Sequence, residues 1–416
     1  MTGYIDRIVD AEIAAGLNSS GALVIHGARA VGKTESARRV AASELRLDAS
    51  DARAVLAREQ PASALDGPTP RLLDEWQLVP ELWNAVRHEV DDRRRVAQFI
   101  LSGSATPDDD ATRHSGAGRF RQLTMRTLAL TETGESSGAV SLGALLAGDT
   151  IPNAESPSDF ETVVTRIVTG GWPGWHDSSE TDALARGSSY AADIAQHDFP
   201  QVAGTRRDPR RFMAYMRAIA GLSAQPAGYT TITRRMQEES SLSASLGTVP
   251  ILHDLAERMF LVEDQPAWAP RLRSRSALLQ MPKRHLADPS LAAALLGAGT
   301  KRLLLEPETL GFLFESQVVH DLRVYAQALG ARGVFHYRDS KGRDEIDIVI
   351  EDDDGSWVAI EVKLGIKAVD SAASNLLRVT SKIARQPAAV VIVVPSGVAH
   401  RRIDGVFVVP LTTLGV

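Results

Sequence analysis

Residues Ala22 to Thr34 read ALVIHGARAVGKT. Ala22, Leu23, Val24 and Ile25 form a short apolar run that ends at His26. Such a run suits a strand buried on both faces of a parallel sheet. Gly27 to Thr34 then fits G-x-x-x-x-G-K-[ST] at every position. Glu35 to Ala42, rich in Glu, Ala and Arg, reads as a helix. Strand, glycine loop and helix in that order are the setting of a phosphate-binding loop.

The residue types follow from the chemistry. Gly27 and Gly32 let the backbone wrap an anion where a Cβ would obstruct it. Backbone N–H groups would point at the phosphates, and the helix would present its positive end. Lys33 is expected to reach the β- and γ-phosphates of ATP, and the Thr34 hydroxyl to bind Mg²⁺. The candidate nucleotide contacts are therefore Gly27, Ala28, Arg29, Ala30, Val31, Gly32, Lys33, Thr34 and Glu35. The alternative is a chance match in a glycine-rich turn.

A chain of 416 residues exceeds one ordinary domain, so two or three are expected. With 44% hydrophobic and 24% charged residues, the composition is that of a soluble globular protein. No apolar run approaches a membrane span, and MTGYIDRIVDAEI lacks the basic-then-apolar order of a signal peptide. The histidines show no zinc-site spacing, and the absence of cysteine excludes disulfides and Cys-ligated metals. A cytoplasmic location fits that composition. A net charge of −6 gives no global attraction to nucleic acid, so any such binding must come from local basic surface.

Glu44 to Asp48 is expected to be the second strand, with Ser50 or Asp51 capping the helix after it. Arg71 to Asp74 is a short strand leading into Asp74-Glu75. Downstream of a phosphate loop this is a Walker B pattern: Asp74 would help hold Mg²⁺, and Glu75 would act as the base that polarises the attacking water. The bland alternative is two solvated carboxylates. Leu82 to Arg95 reads as a helix and Val96 to Leu101 as a strand ending in Ser102-Gly103-Ser104. A polar residue there, Ser104 in particular, is a candidate contact to the γ-phosphate or its water, or else part of an ordinary turn. Arg119 or Arg121 precedes or opens the strand expected from Gln122 to Leu130. Either is a candidate arginine finger or a solvated loop arginine.

Taken together, GARAVGKT, LLDEWQLVPELW, FILSGSA, GRFRQLTMRTLALTE and the later GGWPGW make the chain resemble prokaryotic AAA-type ATPases fused to a C-terminal domain of uncharacterised function. Members of that family often carry Pro where this chain has Thr127-Leu128-Ala129. The Gly170 to Trp175 turn would pack the middle region against the ATPase, or form a buried structural corner.

Two features of the middle region point at DNA. Arg206, Arg207, Arg210 and Arg211 cluster around Pro209. Tyr229 to Glu239 and Leu246 to Arg258 read as successive helices, followed by short strands Phe260 to Val262 and Ala277 to Leu279 flanking Arg271, Arg273 and Arg275. Helix, helix and basic hairpin make a winged-helix reading. Solvated arginines on a structural domain are the alternative.

From about residue 300 a separate α/β pattern begins. Leu310 to Leu329 is a long amphipathic helix containing Glu315. The strands Glu345 to Ile350 and Trp357 to Val362 flank the turn EDDDGS, a hairpin signal. Asp347, Glu361 and Lys363 follow the spacing Asp-x13-Glu-x-Lys and so resemble the restriction-endonuclease-like superfamily. Across a hairpin Asp347 and Glu361 would converge and bind Mg²⁺, with Glu315 completing the shell. Lys363 shares a strand face with Glu361 and would activate water. The alternatives are a buried Glu–Lys pair or a degenerate fold that only binds.

The expected architecture is α/β. A three-layer P-loop NTPase domain of AAA type spans 1–155, a helical winged-helix domain 156–300, and a restriction-endonuclease-like domain 301–416. The leading functional expectation is an ATP hydrolase with catalytic Glu75, coupled to a DNA-binding, nuclease-like half with catalytic Glu361 and Lys363. The other is a nucleotide-switched module whose C-terminal fold recognises a partner protein, such as a regulator or antitoxin, and never cuts; ATP, DNA, a protein partner or a homo-oligomer are the expected partners.

Overall fold

The computed structural model describes residues 3–106, 117–203, 208–239, 247–270, 280–339 and 341–416. They fall into two compact units. One gathers Met1–Thr127 with Gln201–Gly204 and Asp254–Leu261; the other gathers Leu128–Pro200, Thr205–His253 and Val262–Val416.

The first unit is built on five strands, β1 (Ala22–His26), β2 (Ser43–Arg46), β3 (Arg71–Asp74), β4 (Phe99–Gly103) and β5 (Phe120–Thr124), in the order β2-β3-β4-β1-β5. All are parallel. β3 and β4 are buried along their whole length, which is why they read as apolar runs rather than alternating ones. β5 lies at the edge and exposes Arg121 and Gln122. Helices α1 (Val9–Ser19), α2 (Lys33–Arg38), α3 (Ala52–Glu59) and α4 (Leu82–Arg93) flank the sheet in sequence, and the Asp51 side chain caps α3 by accepting from the Ala54 N–H. On one sheet face Val24, Leu45, Leu73 and Leu101 pack with Trp76, Trp83 and Val86.

Several element boundaries differ from expectation. The helix after the loop starts at Lys33 and ends at Arg38. The strand expected from Val96 starts at Phe99, because Ala97 takes a left-handed turn at φ 55. The strand expected to reach Leu130 stops at Thr124, and Leu130–Thr133 is a short helix.

The second unit holds a mixed seven-stranded sheet of β7 (Ala154–Glu155), β8 (Gly333–Arg338), β9 (Glu345–Glu351), β10 (Trp357–Val362), β11 (Ala389–Val394), β12 (Val398–Arg401) and β13 (Phe407–Pro410). Their order is β7-β12-β13-β11-β10-β9-β8. A two-residue strand, β6 (Val140–Ser141), pairs instead with β14 (Leu414–Gly415). β8, β9 and β10 form an antiparallel meander, while β11 lies parallel to β10 after the helix Val369–Thr380. Trp268, Ile346, Trp357, Ala359, Leu376 and Val379 form a core between sheet and helix.

Both middle helices are present, as Tyr229–Glu239 and Thr248–Arg258. The first strand of the expected wing is not formed as read. Phe260 sits at φ 55 in a turn, and Val262 makes an isolated bridge to Leu286. Arg271, Arg273, Arg275 and Ala277 to Leu279 lie outside the described residues, as do Arg206 and Arg207. Arg210 and Arg211 stand in the first turn of the helix Pro209–Ala220. The Gly170 to Trp175 turn is a structural corner within the second unit: Gly171 N–H donates to Asp288, and Trp172 Nε1 donates to Ser290 Oγ at 3.0 Å.

Candidate functional site

The first site lies where β1, β3 and β4 end. A Cβ on Gly27 would run into the Met125 carbonyl oxygen, and Gly32 holds φ 101, so both glycines are required by the backbone path. Lys33 is buried, and its ammonium donates to the carbonyls of Gly27 at 2.9 Å and Ala28 at 2.8 Å. Burial pushes its pKa down to about 8, against the pull of Glu75 and Asp74. Thr34 Oγ1 donates to Asp74 Oδ1 at 2.9 Å, and Ser102 Oγ donates to the same oxygen. Parallel register explains the convergence: Asp74 on β3 is level with Ser102 on β4.

Glu75 follows at φ 57, a left-handed conformation that a non-glycine residue adopts at an energetic cost of order 1–3 kcal/mol. Gln77 Nε2 donates to its carboxylate, and Ser104 Oγ does so at 3.5 Å. The side chain is thereby aimed beside Asp74. A hydroxyl and a carboxylate in contact, with a lysine and a loop of N–H groups beside them, fit Mg²⁺ and a nucleotide triphosphate. When bound, ATP would supply the transferable phosphoryl group and Mg²⁺ the charge that neutralises it.

Not every expected residue joins this site. Glu35 points outward to Arg38 at 2.5 Å, leaving only its backbone for the nucleotide. Arg29 and Ala30 are exposed on the loop. Arg119 lies at the wrong end of the sheet. Its carbonyl accepts from Ala22 N–H at 3.1 Å, one strand length, about 16 Å, from Gly27. Its guanidinium is engaged by Asp91 at 2.9 Å. β5 runs parallel to β1 with Phe120 level with Ala22, which puts the residue preceding β5 at the end of the sheet away from the loop.

Of the polar residues read at the end of β4, Ser102 bonds Asp74 and Ser104 reaches Glu75, and two further residues escaped the sequence reading. Arg7 is buried and donates to the Val31 carbonyl at 2.9 Å and the Arg126 carbonyl at 2.8 Å, bracing the phosphate loop. Phe260 stacks on His26 with ring centroids 5.0 Å apart. Burial and the charge of Lys33 hold His26 down at about 4, so this ring is neutral beside the loop. The Ser102 signal was present in FILSGS; Arg7 and Phe260 have no local signal, because only the folded chain brings them there.

The second site lies in the second unit, where β9, β10 and the helix Pro307–Ala328 meet. Asp347, Glu361, Lys363 and Glu315 do converge. Asp347 Oδ2 accepts from the Val362 N–H at 3.0 Å, and Lys363 Nζ donates to Glu361 Oε1 at 2.9 Å and lies 3.9 Å from Asp347 Oδ2. A fifth residue stands among them. Lys283 Nζ is 2.5 Å from Glu315 Oε1 and 3.4 Å from both Asp347 Oδ1 and the Asp347 carbonyl oxygen.

Burial raises Glu315 to about 8, and burial with the charge of Asp347 raises Glu361 to about 7. Burial opposes ionisation of Lys283 too, but Glu315 and Asp347 outweigh it and raise its pKa. Burial likewise opposes ionisation of Asp347, and Lys283 and Lys363 outweigh it and lower its pKa. Lys283 lies in a segment with no strand or helix period, so nothing in the sequence pointed to it.

With this geometry in view, residues 19–134 match a family model described as an AAA domain. Residues 310–414 match a domain of unknown function (DUF4143), and residues 160–302 a second one (DUF8612). The chain joins an AAA domain to a C-terminal domain of unknown function. An uncharacterized protein of Mycobacterium tuberculosis is 25% identical over 349 residues, covering 83% of this chain and 71% of that one. A counterpart in Mycobacterium bovis matches to the same extent, 25% over 349 residues. Among solved structures, Drosophila ORC bound to DNA aligns over 69% of this chain and 84% of that one, at 13% identity and a TM-score of 0.20. The Pyrococcus furiosus Hef helicase domain aligns over 93% and 89%, at 9% identity and a TM-score of 0.20. At those scores neither likeness bears on fold or function. No helix of the described residues is long and apolar enough to cross a membrane.

Proposed function

We propose that the chain is an ATP hydrolase whose nucleotide cycle sets the state of a C-terminal half that recognises a partner protein without cutting it. One observation carries the hydrolytic reading. Thr34 and Ser102 both bond Asp74, while Glu75 is held one residue on by Gln77 and Ser104. Lys33 would bind the phosphates, Thr34 and Asp74 the Mg²⁺, and Glu75 would accept a proton from the attacking water. The three family matches, 19–134, 160–302 and 310–414, support three modules with boundaries near 155 and 300, whereas the folded chain gathers into two compact units that divide first after Thr127.

A second reading, a Mg²⁺-dependent DNA nuclease, is favoured by the convergence of Asp347, Glu361 and Lys363. The net charge of −6 gives it no general electrostatic support.

Phosphate release from ATP is the test of the hydrolytic reading. The wild-type chain is expected to hydrolyse ATP in the presence of Mg²⁺, and Lys33→Ala to lose nucleotide binding and turnover. Equal turnover by that variant would refute the assignment of this loop.

A further inference from the structure

A divalent cation is what the C-terminal spacing implies, and the residues around Glu315 and Asp347 do not fit one. Of the three carboxylates expected to hold such an ion, Glu315 through Oε1 and Asp347 through Oδ1 already face the Lys283 ammonium, at 2.5 and 3.4 Å, as does the Asp347 carbonyl at 3.4 Å, while Glu361 Oε1 is engaged by Lys363 at 2.9 Å. Mg²⁺ binds oxygen at about 2.0–2.1 Å, so it and the ammonium would compete for one volume. Lys283 is also buried, with its side chain 8% exposed.

Lys283 is pinned by its backbone. Its N–H donates to the Gln265 carbonyl at 3.0 Å, and its carbonyl accepts from the Gln265 N–H at 2.9 Å. Gln265 Nε2 in turn donates to the Asp347 carbonyl at 3.1 Å. Backbone pairing and side-chain contact therefore fix the same register. Charge agrees with position. With every group ionised, Lys283 and Lys363 against Glu315, Asp347 and Glu361 leave a single negative charge, which a divalent ion would reverse.

We propose that Lys283 is a tethered cation that occupies the divalent-ion position of the C-terminal cluster, so that the native chain keeps this cluster metal-free. Lys363 is held by Glu361 and serves the same charge balance. This rests on reading the C-terminal half as a recognition module, and it predicts that a metal site is latent beneath one side chain.

The test is a Mn²⁺ titration followed by electron paramagnetic resonance on nucleotide-free full-length protein. Asp74→Asn is included throughout to silence the N-terminal site. The native cluster is expected to show no saturable ion. Lys283→Met is expected to gain one ion per chain, bound at least about tenfold more tightly than by the unsubstituted cluster. Adding Glu315→Gln is expected to remove that gain. Mn²⁺ should also raise the thermal midpoint of Lys283→Met and leave that of the unsubstituted cluster in place.

If Met is not tolerated, Lys283→Gln takes its place. The unsubstituted arm also decides alone: a stoichiometric ion there that Glu315→Gln removes overturns the proposal, and its absence supports it. A folded Lys283→Met that gains no ion overturns it as well. ATP hydrolysis by the unmodified chain is measured separately, so a failed hydrolase assignment and a failed cation assignment give different results.

Discussion

Burial sets the charge behaviour of Lys33, and that has a measurable consequence. In the nucleotide-free loop its pKa is lowered from 10.5 to about 8, first by burial. A bound triphosphate places negative charge against the ammonium and raises that value again. Between about pH 8 and 10 the free protein then holds fewer protons at this position than the complex does, so ATP binding takes up protons there. Calorimetry at pH 8.5 in two buffers of different ionisation enthalpy should give different apparent heats, and equal heats would remove Lys33 from the phosphates. Glu75 makes a second prediction at this scale. Glu75→Gln should retain ATP binding and lower turnover by roughly 10²–10⁴-fold, the range of a lost general base. Lys33, Thr34 and Asp74 were legible because the motif fixes them by local spacing. Ser102, Arg7 and Lys283 act through partners 28, 24 and 32 positions away in sequence, and residue type alone does not encode such a meeting.

Among the elements, the parallel strands were legible because burial on both faces demands continuous apolar residues, as in Leu72–Leu73 and Phe99–Leu101. The first expected wing strand is absent because a short apolar run such as Phe260 to Val262 is equally compatible with a turn, and Phe260 takes the left-handed one, while the second lies outside the described residues. The Gly170 to Trp175 corner was left between a structural and an interface role, and its packing gives a paired prediction. A Cβ on Gly171 would strike the Leu128 carbonyl oxygen and stand 2.8 Å from the Leu128 nitrogen, backbone atoms that cannot rotate aside. A Cβ on Gly174 meets nothing within 4 Å. Gly171→Ala should therefore destabilise the fold by about 1–3 kcal/mol or more, while Gly174→Ala stays within roughly 0.5 kcal/mol. Urea denaturation of the two variants separates these outcomes, and equal midpoints would dispose of the packing argument.

At the scale of the whole molecule, two charged centres sit in two different compact units, and both were visible as spacing in the sequence. What the spacing did not show is how each centre balances its charge. The N-terminal one leaves a carboxylate, a hydroxyl and a loop of backbone donors suited to an incoming anion and its cation. At the C-terminal one Lys283 engages Glu315 and Asp347 and Lys363 engages Glu361, whose second carboxylate oxygen stays buried without a hydrogen bond. The consequence reaches activity. Full-length protein incubated with linear, nicked and branched DNA, with Mg²⁺ and with or without ATP, should leave the DNA intact while releasing phosphate from ATP. Glu361→Ala should behave in the same way on DNA. Scission by the wild-type chain that disappears in Glu361→Ala would restore the nuclease reading. It would also require Lys283 to leave Glu315 and Asp347 during turnover, since those oxygens cannot hold an ammonium and a divalent ion together.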